Sequence, residues 1–290
     1  MNYFRELTQT LCLSVVLIFT SAMFSTGFAF GQSAVAESEA IPVESNQTAE
    51  SDVSTTADSK DTKPKEQARR SYLGRVLAKP MSHTGAGWLI RPERDQEENA
   101  SESFTKLELK PGMVICDLGC GNGYWTLPMA RKVGPEGAVY AVDIQREMLQ
   151  KLQLRADQFE LKNIRPVQGT IDDPKLPGNE IDLLLMVDVY HEFSHPQSML
   201  WEIRRSLKPE GVVALLEYRE EDPSVPIKPL HKMSKRQIMK EYESNGFKLV
   251  REYNELPWQH LMFFARDDSP LEAIEPEPTA DVFISAPEQM

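Results

Sequence analysis

Through the middle of this chain short apolar runs of strand length alternate with stretches whose apolar residues recur at helical spacing, and both ends lose that rhythm. The runs at 113–117, 138–143, 164–168, 181–187, 211–218, 247–253 and 260–266 read as strands. Strands alternating with helices predict a doubly wound α/β fold, a mostly parallel sheet with helices on both faces. Leu207-Lys-Pro-Glu-Gly211 reads as a helix stop and turn, because proline breaks the helix and glycine permits the reversal. Residues 71–80 have helical character, and 70–103 as a whole read as an N-terminal helical or lid segment.

The ends follow other rules. Arg5 precedes an apolar run over 11–30, and Ala34-Val-Ala36 supplies the small-x-small pattern of a cleavage site. Residues 1–36 are therefore expected to export the chain as a signal peptide or, if uncleaved, to attach it to a membrane through 11–30, with the domain outside. No small-residue lipobox precedes Cys12, which argues against a lipoprotein. Residues 37–69 form an acidic linker, and 267–290, with Glu275-Pro-Glu-Pro278, an acidic tail. Both are poor in core-forming residues and are expected to be disordered.

Charge sharpens that division. Residues 37–66 hold eight acids against three bases and 267–290 hold seven acids and no base, which accounts for the whole net charge of −12. The core is left nearly neutral and without a basic run, which disfavours nucleic acid as a partner and makes a small molecule the expected one. Cys116 and Cys120, at a strand end and in a turn, are expected as buried thiols rather than a bridge.

The densest chemical signal is Val114-Ile-Cys-Asp-Leu-Gly-Cys-Gly-Asn-Gly123, followed twenty residues on by Val139-Tyr-Ala-Val-Asp143. It reads as a buried strand, a glycine-rich turn, a helix and a second strand ending in a carboxylate, the arrangement that grips a nucleoside-bearing cofactor at a sheet's carboxyl edge. Gly119, Gly121 and Gly123 remove the Cβ atoms that would hold a ligand off the backbone, and they tolerate positive φ in the turn. Asp143 can accept hydrogen bonds from both ribose hydroxyls. Asp117, just inside the first glycine, suits a cofactor carrying an amine and a sulfonium and would repel a pyrophosphate.

These residues resemble class I S-adenosylmethionine-dependent methyltransferases, over roughly 104–266. The resemblance implies a Rossmann-like doubly wound, mostly parallel seven-stranded sheet with an antiparallel C-terminal hairpin strand. It implies S-adenosylmethionine as cofactor and methyl transfer to an oxygen or nitrogen nucleophile. It carries cofactor contacts onto Asp117, Gly119, Gly121, Gly123, Asp143 and the adjoining Ile144. At the third strand's end the family presents an acid or amide to the adenine amine; Thr170 stands in that place and Asp172 two residues later, so both stay open. Asp188 either faces the amino end of the cofactor or caps its strand. Tyr190 and His191 follow the fourth strand, where an acceptor would meet the methyl group. His191 is the candidate base, since imidazole titrates near neutrality, with Tyr190 positioning the acceptor beside it. A histidine that only hydrogen-bonds the strand end is the competing account.

Other readings stay in view. His191-Glu192-Phe-Ser-His195 spells the zinc-peptidase signature, which needs both histidines one turn apart on a helix. Pro196 disfavours helix at His195, so the helix is expected to start after the motif and no metal site is expected. Export sits awkwardly with a cofactor made in the cytoplasm, which makes an exported, non-catalytic nucleoside-binding module a further alternative. A start at Met81 would remove that conflict but also residues 71–80. Trp88 to Arg94, after Gly85-Ala-Gly87, forms either a lid or a brace. Trp258-Gln-His260 lines the acceptor side or is ordinary core, and His83 and His231 read as surface residues.

Overall fold

The computed structural model describes residues 70–278 and Lys63; the expected signal peptide or anchor, the rest of the acidic linker and residues 279–290 lie outside the described residues. Among the described residues no helix is long and apolar enough to cross a membrane.

The described chain opens with a hairpin, β1 (Ser71–Tyr72) and β2 (Arg75–Val76), then two 3-10 turns and helices α1 (Arg94–Glu98) and α2 (Ala100–Lys106). There follow β3 (Val114–Leu118), α3 (Thr126–Val133), β4 (Ala138–Asp143), α4 (Arg146–Gln158), β5 (Ile164–Gln168), β6 (Ile181–Val187) and α5 (Pro196–Ser206). The chain continues through β7 (Leu207–Tyr218), α6 (Lys235–Glu243), β8 (Phe247–Tyr253) and β9 (Gln259–Arg266). Among the described residues β3 to β9 make a seven-stranded sheet in the order β5-β4-β3-β6-β7-β9-β8. Its pairs are parallel from β5 to β7, and β9 runs antiparallel between β7 and β8.

Burial explains why the central strands read as continuous apolar runs. In β6, Leu184 and Met186 enter the core under α5 and α6, while Leu183 and Leu185 enter the core under α2 and α3. A parallel strand covered on both faces has no polar side. From β3 the chain goes to β4 and β5 on one side, then returns to β6 on the other, so a crevice opens at the carboxyl ends of β3 and β6.

Three expectations change. Residues 71–80 are not helical: Leu73 and Gly74 both take positive φ and make the two-residue turn of the β1–β2 hairpin. The turn expected at 207–211 is absorbed into β7, where Ile181 faces Leu207 and Leu183 already faces Val212, leaving extra residues on one side of the ladder. Gly211 serves close approach rather than a reversal, since a Cβ there would lie 2.5 Å from the Ile181 carbonyl oxygen. The acidic tail is ordered at its start: Ile274 N–H donates to Leu249 O at 2.8 Å and Lys235 Nζ to Glu277 O at 3.1 Å, laying residues 267–278 beside β8.

Glu241 on α6 joins the N-terminal hairpin to the sheet. Fully buried, it accepts from Arg75 Nε and Nη2 at 2.7 and 2.9 Å and from Tyr190 Oη at 2.7 Å. Replacing Glu241 by alanine strands a buried guanidinium and a hydroxyl, so urea denaturation is expected to show a loss of about 3–5 kcal/mol. Glu241→Gln, which keeps acceptor capacity, is expected to lose less.

Candidate active site

The crevice at the switch point holds a cavity of about 520 Å³, within the range of small-molecule sites. Its first wall is the glycine turn after β3. The N–H groups of Gly119 and Cys120 both donate to Val142 O, at 2.8 and 3.0 Å, which bends the turn across the end of β4. Gly119 (φ +77°) has no room for a side chain, because a Cβ would lie 2.5 Å from Val189 Cγ2. At Gly121 (φ +53°) a Cβ would lie 2.6 Å from Leu89 Cδ1.

Asp143 ends β4 against that turn. Its carboxylate accepts from Gly121 N–H at 3.0 Å and from Gln145 N–H at 2.8 Å, and both groups line the cavity with it. Burial raises its pKa, and these backbone donors pull it back. A carboxylate has about four lone-pair sites, so capacity is left for hydroxyls in the cavity.

Asp117 is buried at the root of the turn and accepts from the Thr126 hydroxyl. Burial pushes its carboxyl up to about 7; the Thr126 hydroxyl opposes the shift, Asp143 adds to it and Arg94 opposes it. Asp188 leaves β6 in the left-handed region (φ +53°), held by Gln259 Nε2, which lies 2.9 Å from each of its oxygens. Arg94 Nη2 stands 3.6 Å from Asp188, while Arg94 Nε donates to Glu98 at 2.7 Å and its guanidinium lies 4.5 Å from the Tyr124 ring centre.

The opposite wall follows β6. His191 is buried, and its Nδ1 meets Glu217 Oε2 at 2.7 Å, which sets Nδ1 as the protonated nitrogen. Its Nε2 lies 3.0 Å from His231 Nδ1. Burial disfavours the His191 imidazolium, but the Glu217 carboxylate more than compensates and the pKa is raised. Glu192 also lines this wall, its carboxyl pushed up to about 7 by burial. Residues before the sheet cover the opening: Gln145 Nε2 donates to Met81 O at 2.8 Å, Met81 N–H donates to Glu192 Oε1 at 3.0 Å, and Trp88 and Leu89 line the cavity.

The structure thus brings Asp117, Gly119, Gly121, Asp143, Ile144, Thr170, Asp188 and His191 to one cavity. Three expected residues stand apart from it. Tyr190 is fully buried, spends its hydroxyl on Glu241 and packs 5.2 Å from the Tyr242 ring, so it is a core residue and not an acceptor contact. Gly123 faces α4, where a Cβ would lie 2.3 Å from Leu152 Cδ1, so it serves packing. Asp172 accepts from the Thr170 hydroxyl at 2.7 Å and does not line the cavity, which leaves Thr170 as the residue facing it. His231, expected at the surface, lines the cavity, while His260 pairs with Glu221 at 2.9 Å and does not. His231 pairs with His191, whose other nitrogen is held by Glu217, an acid inside an apolar strand run. Cys116 and Cys120 are free and buried.

The zinc-peptidase geometry is not formed. His195 precedes α5 with φ −130° and ψ 62°, outside helical conformation, and its Nδ1 pairs with Ser194 Oγ at 3.0 Å.

A sequence profile described as methyltransferase domain matches residues 109–261, more than half of the chain. The chain belongs to the class I S-adenosylmethionine-dependent methyltransferases. It is 28% identical over 116 residues to a demethylmenaquinone methyltransferase of Geobacillus sp. (strain WCH70), covering 40% of this chain and 50% of that protein. It is 34% identical over 110 residues to a 2-phytyl-1,4-naphtoquinone methyltransferase of Trichormus variabilis, covering 38% of this chain and 48% of that protein. The chain therefore spans about half the length of these curated relatives. A SAM-dependent methyltransferase from Aquifex aeolicus shares the fold, with TM-score 0.60 and 24% identity over 64% of this chain and 98% of that one.

The residues present fit S-adenosylmethionine, the family's cofactor. Gly119 keeps the turn free of side chain, Asp143 has acceptor capacity for a ribose, and Asp117 supplies a carboxyl suited to a cationic amino-acid part. When bound, the cofactor supplies a methyl group on a positively charged sulfur.

Two outcomes are expected. Asp143→Ala removes charge-assisted hydrogen bonds of about 1.5–3 kcal/mol each, so calorimetry should show S-adenosylmethionine affinity falling about 100-fold or more. Asp117, raised to about 7, is protonated below that pH in the free protein, and a cationic ligand favours the ionised form. Binding should therefore release a proton below pH 7, with affinity rising toward pH 7 by up to about tenfold per unit and levelling above it. Asp117→Asn should flatten that rise and remove its share of the proton release, read in buffers of different ionisation enthalpy.

Proposed function

We propose that this methyltransferase acts on an oxygen or nitrogen nucleophile of a small, largely apolar acceptor, with an aromatic hydroxyl of quinol type as the favoured class. The observation that carries the reading is the make-up of the wall facing the glycine turn. Trp88, Leu89, Phe193, Met199 and Ile227 offer apolar surface, and His191 is the imidazole set among them. Such a wall binds a ring by area, while a few fixed polar groups choose its orientation. The relatives are named for demethylmenaquinone and for 2-phytyl-1,4-naphtoquinone, which favours a quinone-type ring and does not name the atom methylated.

Methyl transfer asks the protein mainly to align donor and acceptor and to keep water out. The segment of Met81, Trp88 and Leu89 covers the cavity, and Glu217 fixes the His191 ring so that Nε2, 3.0 Å from His231 Nδ1, is the nitrogen that acts on the acceptor side. In this reading His191 positions the nucleophilic atom and its Nε2 takes the proton that atom loses as its bond to the methyl carbon forms and the carbon–sulfur bond breaks. The export expected from residues 1–36 belongs to the same proposal, and mass spectrometry of the mature N-terminus tests it.

With S-adenosylmethionine carrying an isotope-labelled methyl group, label is expected in naphthols, quinols or aromatic amines and not in polar sugars or nucleotides. Label found only in the polar set would defeat the apolar-acceptor reading. His191→Asn, whose amide can still reach Glu217, is expected to lower kcat by about 10²–10⁴ with S-adenosylmethionine affinity unchanged.

A further inference from the structure

The first two residues of the abandoned zinc-peptidase signature meet a third partner that sequence spacing does not reveal. One ligand atom from each of His191, Glu192 and His231 lies within 4.8 Å of the other two, and all three residues line the acceptor wall. His191 and Glu192 come from the 3-10 turn after β6, and His231 from the 3-10 turn Pro229–His231 after β7.

Four features make this more than a cluster of polar groups. The donor set, two imidazole nitrogens and a carboxylate oxygen with one side open to a cavity, is that of open transition-metal sites. The two nitrogens are 3.0 Å apart, within about half an ångström of the roughly 3.4 Å between ligands of a tetrahedral ion with bonds of about 2.1 Å. Glu217 holds the far nitrogen of His191 at 2.7 Å and also accepts from the His191 backbone N–H at 3.2 Å, the carboxylate–histidine support that orients a metal ligand. Charge also favours a cation here. Glu192 and Asp188 line the cavity with His191 and Glu217 pairs with it, against one lining lysine, Lys228, while Arg94 is engaged by Glu98 and Arg75 by Glu241.

We propose that His191, Glu192 and His231 bind one divalent transition metal ion of zinc type at the acceptor end of the cavity, with Glu217 positioning His191. The open coordination position faces the space for the acceptor, so the ion would bind and polarise the acceptor's oxygen. That catalytic role rests on the proposed function, whereas metal binding does not. With the ion present, a hydroxyl acceptor gives up its proton to solvent as its oxygen binds, and that oxygen then forms the bond to the methyl carbon while the carbon–sulfur bond breaks onto sulfur. The site also differs from the peptidase reading in its ligands, because His195 has no part in it.

The test uses the purified full chain, stripped with chelator and titrated with Zn²⁺ by calorimetry and with Co²⁺ by visible absorption. One equivalent is expected to bind, with the visible bands of tetrahedral cobalt. His231→Ala, on a partly exposed turn, is expected to weaken Zn²⁺ at least 100-fold while S-adenosylmethionine affinity stays unchanged, which shows that the variant is folded. Glu217→Gln is expected to weaken Zn²⁺ about 10–100-fold, and His195→Ala to leave it unchanged. No stoichiometric binding, or binding that survives His231→Ala or is lost with His195→Ala, overturns the site. S-adenosylmethionine binding measured on the stripped protein stands apart from these outcomes, so failure of the metal site and failure of the methyltransferase reading are told apart.

Discussion

The carboxylate of Asp143 is the interaction on which the site depends. It accepts one N–H from the glycine turn after β3 and another from the loop after β4, so a single side chain spans two loops that parallel strands deliver to one edge. Parallel pairing of Leu118 with Val142 puts the strand ends level, and the Val142 carbonyl then draws the turn over β4. With Cβ atoms at Gly119 and Gly121 the same bend would collide with Val189 and Leu89. This side of the cavity is thus walled largely by backbone, and backbone is positioned by the sheet.

The site gathers more acid than base in a place of low polarity. Asp117, Asp143, Asp188 and Glu217 are all buried or nearly so, and burial raises the carboxyl pKa of the first three. Such an arrangement is costly in the free protein and favours cations when they arrive. A sulfonium-bearing cofactor would meet that demand beside Asp117. A metal ion beside His191 would meet it at the other end of the same cavity.

What the residues disclosed in advance follows from how local each signal is. The glycine turn and Asp143 were legible because strand, turn, helix and strand follow one another and their spacing is set by the chain itself. The fourth strand's exit was legible for the same reason, and Asp188 and His191 both line the cavity there. Tyr190 was misjudged because a residue one step from a site residue points elsewhere: its hydroxyl belongs to Glu241 on α6. Gly123 looked like the third cofactor glycine, but its missing side chain makes room for Leu152. The hairpin at 71–76 and the order of residues 267–278 escaped because both rest on contacts with distant segments.

The sequence by itself determined the alternation of buried strands and amphipathic helices, the glycine bend, and the carboxylate at the second strand's tip, since each is written within one or two neighbouring elements. Only the tertiary structure decided the rest. It brought Glu217 and His231, both far along the chain from His191, onto the two nitrogens of one ring, and it turned Tyr190 away into the core. Parallel strands place residues from separate crossovers at a common edge. Which side chains then meet is set by the register and packing of the whole sheet, not by the spacing along any one segment.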